Sequence, residues 1–163
     1  MTSPAGDDHS VPAIVADERA TQLVFLGYLR TAVDRKLDGV SEADARRMLV
    51  ASRTTLLGLV KHLTYVEAYW GRRRLTGAEI TETFDGFDLD PDDTVATVRR
   101  RYAEAAQSTD DALAACASLD APLARGRRGL TVRWMLTHLL EETARHAGHA
   151  DILRELLDGA GGR

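Results

Sequence analysis

Residues 131–157, TVRWMLTHLLEETARHAGHADILRELL, contain no proline and one glycine, Gly148. Their apolar positions recur at three- and four-residue intervals, which predicts one long amphipathic helix. Such a helix buries its stripe only against other helices or a sheet, so its partners decide the fold.

Those partners are also helical. Residues 17–38 carry Leu26, Leu29, Val33 and Leu37 on one side, with Leu23 and Phe25 extending the stripe. Asp17 suits the N-cap and Gly39 the stop. Ser41 opens a short connector, SEADARRML, with Asp44 in the capping-box position. A helix from Thr54 or Thr55 to about Leu75 carries Leu56, Leu59 or Val60, Leu63, Val66 and Trp70, and ends on Arg72, Arg73 and Arg74. Residues 76–93 are rich in Gly, Pro and Asp and read as a surface loop bordering a site. Their aspartates do not have the spacing of an EF-hand. A further helix begins after Asp93, carries Val95, Val98, Tyr102, Ala105 or Ala106 and Leu113, and ends near Cys116. Residues 118–130 form a second loop, and Gly159, Gly161 and Gly162 stop the last helix. No stretch of useful length alternates with period two. The expectation is an all-α fold: a four-helix bundle over 17–160 with a short connector helix, after a flexible lead over 1–16.

Charge and cysteine usage narrow the function. The net charge is -4, and the arginine clusters at 72–74, 99–101 and 127–128 are offset by acidic residues, so no nucleic-acid footprint is expected. The single cysteine, Cys116, excludes an intramolecular disulfide and a cysteine-based zinc site. The N-terminus lacks a basic region followed by an apolar one. No apolar run reaches the ~18 residues of a membrane span. A cytoplasmic location is expected.

The last helix also concentrates chemistry. His138, Glu142, His146 and His149 lie within twelve residues of a chain that has five histidines. Helical residues four apart differ by about 40° and 6 Å along the axis, and those three apart by about 60° and 4.5 Å. Three pairs can therefore share an ion: Glu142 with His146, His146 with His149, and His138 with Glu142. Each needs a third ligand from elsewhere, and His62 lies in the other strongly apolar helix. Imidazole with carboxylate suits zinc, nickel or iron(II) better than calcium. Three protein ligands would leave a position for water or substrate.

Residues 54–77, TTLLGLVKHLTYVEAYWGRRRLTG, and 130–160, LTVRWMLTHLLEETARHAGHADILRELLDGA, resemble an actinobacterial branch of the DinB/YfiT-like superfamily. The resemblance covers nearly the whole chain, and the branch is related to the metal-binding domain of mycothiol-dependent maleylpyruvate isomerase. It implies an up-and-down-type four-helix bundle with one long connection. It also implies a divalent metal held by one ligand from the second long helix and two, four apart, from the last. On this chain those are His62, Glu142 and His146. Many members have His where Glu142 stands, but that isomerase also uses His, Glu and His. His149 takes a position where many members have Gln. His149 and His138 are expected as supporting residues that orient a ligand or shuttle a proton. The expected activity is metal-dependent thiol S-transfer or isomerisation, with zinc (or nickel or iron(II)) and mycothiol as cosubstrate. An arginine of the segment 125–128 would meet a substrate carboxylate. Metal-dependent hydrolysis and a non-catalytic, stress-related metal-binding bundle are the alternatives. A small-molecule substrate and a homodimer are expected, and no nucleic acid or membrane partner.

Overall fold

A computed structural model describes residues 11–12, 16–83, 86–126 and 128–160. Except for residues 11, 12 and 16, the expected lead lies outside them, as do His9, Asp85, Arg127, Gly161 and Gly162. Five helices form, and no strand occurs among the described residues. Helix α1 spans Glu18–Arg35, with the Asp17 carboxylate accepting from the Ala20 N–H at 2.8 Å. Helix α2 is one turn, Glu42–Ala45, capped by Ser41 and shorter than the expected connector. Helix α3 spans Leu56–Glu67 and starts on Thr55, whose hydroxyl accepts from the Gly58 N–H. It continues as a wider π-helical segment, Ala68–Thr76, which stops at Gly77 with φ +83°. Where the winding changes, the Glu67 carbonyl accepts from Thr109 Oγ1 at 3.2 Å. Helix α4, Val95–Ala114, begins with a Thr94–Thr97 capping box. Helix α5, Val132–Asp158, begins on Thr131 and ends on Gly159 at φ +75°. No described helix is long and apolar enough to cross a membrane.

Side-chain contacts give the directions of the helices. Glu18 pairs with Arg133 near one end, and Lys36 pairs with Asp151 near the other, so α1 and α5 run parallel. His62 meets His146 while Trp70 meets Trp134, so α3 runs against α5. Lys61 reaches Asp93, just before α4, and Glu67 meets Thr109, so α3 and α4 run the same way. Neighbouring parallel helices need a connection that returns the chain to its starting end. The long segment between Thr76 and Val95 makes that return. The order is therefore up, down, down, up.

Burial matches most of the expected stripes. Leu26 and Val33 of α1, Leu37 in the turn after it, Leu56, Leu59, Val60, Leu63 and Val66 of α3, and Val98, Tyr102 and Leu113 of α4 are buried. The α1 stripe contains one surprise: Arg30 is buried and Leu29 is not. Arg30 Nε and Nη2 donate to the two carboxylate oxygens of Glu67 at 2.7 and 2.8 Å, and Nη1 donates to Asp110 at 2.8 Å. One ion-pair cluster thus ties α1, α3 and α4 together inside the bundle. Trp70, expected on the buried stripe, is only half-buried and packs beside the exposed Trp134. In the second loop, Pro122 and Thr131 form an isolated antiparallel bridge.

Candidate metal centre

His62 projects from the middle of α3, and Glu142 and His146 project from one face of α5. Because the two helices run in opposite directions side by side, the three side chains meet. One ligand atom from each can be chosen so that all lie within 4.8 Å of one another. The His62 and His146 rings have centroids 4.8 Å apart at 69°, and His146 Nε2 lies 3.3 Å from Glu142 Oε2. Of the three pairs that helix geometry allows, Glu142–His146 is the one that His62 joins. Two imidazole nitrogens and a carboxylate oxygen fit a zinc-like divalent ion.

The remaining polar atoms of His146 and Glu142 have neighbours of their own. His146 Nδ1 lies 3.3 Å from His149 Nδ1, and Glu142 Oε1 lies 3.4 Å from Arg145 Nη1. The Phe87 ring packs on both His62 and His146, with centroids 5.1 and 5.9 Å away. Phe87 reaches α3 because Gly58, one turn before His62, has no side chain. A Cβ there would stand 3.3 Å from the Phe87 carbonyl carbon and closer still to its oxygen. Burial, helped by the neighbouring His149 and Arg145, pushes the His146 imidazole down to about 4. Burial and then the charge of His146 lower His62, against the pull of Glu142. Both rings are therefore neutral at neutral pH, the form that ligates metals.

Two cavities lie near the site, one bordering it through Phe87 and His149 and the other through Lys61, the neighbour of His62 in α3; His62 itself is in neither described lining. One, of about 340 Å³, is lined by Val50, Phe87, Ile152 and Leu153 with Ser52, Thr54 and His149. The other, of about 370 Å³, is lined by Lys61, Tyr65, Thr81, Glu82, Asp90 and Arg101, among others. The loop 77–94 contributes to both, as expected of a loop bordering a site. Asp90, Asp92 and Asp93 of this loop also bring carboxylate oxygens within 4.8 Å of one another, but protein cations already engage Asp90 and Asp93. The ammonium of Lys61 already sits 2.9 Å from both Asp90 Oδ2 and Asp93 Oδ2, and Arg101 pairs with Asp93 Oδ1 at 2.9 Å. Burial works against the Asp93 charge, yet Lys61, the Asp90 N–H and Arg101 together hold its carboxyl below the usual range.

The profile of the mycothiol S-transferase family matches residues 22–159. The chain belongs to this family. Membership places it in the DinB/YfiT-like superfamily and supports mycothiol-related S-transfer on a small-molecule substrate. No curated protein matches the chain.

Within this chain, the residues expected to support the site divide. His149 is at the site, in contact with His146. His138 lies between Trp134, stacked at 5.1 Å, and Trp70, edge-on at 4.8 Å. A carboxylate oxygen of Glu141 is 3.8 Å from its Nδ1. His138 and Glu141 can also share a centre with Glu142, but Glu141 is exposed and is engaged by Arg145. Arg125 pairs with Glu79 at 2.8 Å and receives Arg74 Nε on its carbonyl, at the end of α3 where Arg74 covers Trp70. Sequence reasoning missed Phe87. Arg145 was legible from its spacing, three residues after Glu142 and four after Glu141. Phe87 was not, because its position depends on a loop crossing a distant glycine.

Proposed function

We propose that His62, Glu142 and His146 hold one divalent metal ion, zinc in the first instance, and that the site transfers the sulfur of mycothiol to an electrophile. The observation that carries this is the meeting of three ligand atoms from α3 and α5 within 4.8 Å, in a chain of this family. A divalent ion held there supplies local positive charge that favours thiolate over thiol.

The chain's own residues orient the set. With its Nε2 lone pair facing Glu142 and His62, His146 carries its proton on Nδ1 and donates it to His149 Nδ1. His149 then carries its own proton on Nε2 and presents a hydrogen-bond donor, not a base. Arg145 holds Glu142 Oε1 and leaves Oε2 for the site. Phe87 packs an apolar ring against both imidazoles, tilted on His62 and edge-on to His146, which keeps water from that side and strengthens the charge interactions there.

The test is metal analysis with turnover. The purified protein should hold about one metal ion per chain. That ion should be lost in His62→Ala and in His146→Ala. Turnover should require added mycothiol. Full metal in both variants sinks the ligand assignment. Undiminished turnover without thiol favours a hydrolase and sinks the S-transfer reading.

A further inference from the structure

The two cavities near the site differ in chemistry. The larger presents Lys61, Glu82, Asp90 and Arg101. The described lining of the smaller contains no Asp, Glu, Lys or Arg. Its walls are Val50, Phe87, Ile152 and Leu153, and its polar groups are the hydroxyls of Ser52 and Thr54 and the imidazole of His149. Its volume of about 340 Å³ lies within the range of small-molecule sites, ~300 Å³ and above. It also borders the candidate centre through two residues: Phe87, tilted against His62 and edge-on to His146, and His149, in contact with His146 Nδ1. At its rim, Ile152 is 54 % exposed and Val50 is 37 % exposed, so two large apolar side chains face water where nothing in the fold requires them.

We infer that this apolar cavity is the electrophile subsite, that it takes an uncharged and largely apolar electrophile, and that Val50 and Ile152 set its specificity. The inference rests on the S-transfer reading. The polar cavity is left for the hydroxyl-rich thiol. In the transfer, the thiol sulfur forms a bond to the electrophilic carbon as the bond from that carbon to its leaving group breaks. The leaving group departs with the electron pair, and the thiol proton passes to solvent. An anionic electrophile is disfavoured, because a charge placed against Phe87, Ile152 and Leu153 loses its hydration and meets no Lys or Arg in the described lining.

The probe is 4-fluorotoluene, an unreactive apolar ring, titrated into the protein and followed by fluorine NMR. Saturable binding is expected, weakened about tenfold or more in Ile152→Asp and in Val50→Asp. His62→Ala should retain the binding, because the cavity walls do not include the ligand set. Both rim residues are exposed, so unchanged melting of the two Asp variants shows that they fold. With mycothiol present, the KM for an apolar electrophile should rise in both variants while the KM for the thiol stays put. Absence of saturable binding, or wild-type binding by both Asp variants, overturns the inference. So does a conversion of dimer to monomer by Ile152→Asp without change in probe binding, which would make this face a subunit contact. Intact, rim-dependent binding in a protein with no S-transfer activity counts against the proposed function and leaves the apolar cavity standing.

Discussion

His146 Nδ1 lies 3.3 Å from His149 Nδ1, on the side of the ring away from Glu142. Only one hydrogen can occupy that gap, so the tautomers of the two rings are linked. His149→Ala should weaken zinc binding by about 10- to 100-fold, the usual cost of losing the partner that orients a ligating imidazole. His149→Gln should retain more affinity, since its amide oxygen can accept the same N–H. Competition against a chromogenic chelator measures both, and equal affinity in all three proteins would reject the coupling.

Acid should loosen the metal-free protein through His146. Its folded value is about 4 against the ordinary 6.5, so the folded state disfavours the protonated ring. The unfolded chain takes up that proton first. Stability is therefore fully present above about pH 6.5 and falls as pH drops towards 4. The loss amounts to about 3 kcal/mol at ~1.4 kcal/mol per unit. His62 is shifted the same way and adds to the trend. Urea unfolding in chelator, compared between wild type and His146→Gln, should show the steeper slope in wild type. Parallel pH profiles would reject it.

Glu67→Gln should destabilise the bundle by about 3–5 kcal/mol, because it leaves the Arg30 guanidinium buried with one carboxylate fewer. Asp110 is 43 % exposed and cannot compensate from inside the core. The double variant Arg30→Met, Glu67→Leu should recover most of the loss, since it removes both charges. Denaturant midpoints would decide. A double variant no better than Glu67→Gln would mean that shape, not charge, holds this place.

Gly58→Ala should cost about 1–3 kcal/mol, because its new methyl meets the Phe87 backbone. It should also move Phe87 off His62, visible as a change in the His62 ring resonances. Gly27→Ala is the control: nothing lies within 4 Å of a Cβ there, so it should stabilise α1 by up to about 1 kcal/mol. A Gly58→Ala protein as stable as wild type would show that the loop is not seated by that glycine.

Much of this was readable from residue spacing. The stripes of α1, α3 and α4, the cap Asp17, the start at Thr55 and the stop at Gly159 follow from local rules of helix chemistry, whereas α1 ends at Arg35, short of the expected stop at Gly39, where a turn takes over. Arg30 escaped because stripe reading treats a charge as a boundary. The arginine falls four residues after Leu26 and three before Val33, and its partner Glu67 is likewise one residue past the apolar Val66. Each charge looks misplaced alone, and they make sense only as a pair.

The candidate site divides the same way. Local periodicity determined that Glu142 could pair with His146, since their angular offset belongs to the helix itself. It also left His146–His149 and His138–Glu142 equally open, and only the resemblance singled out one pair. The tertiary structure decided which pair meets His62, because that depends on α3 running against α5 in a particular register. It also seated Phe87 against the rings and placed His138 between two tryptophans. Angles around one helix are a property of its own sequence. Distances between helices are set by the packing of every side chain between them.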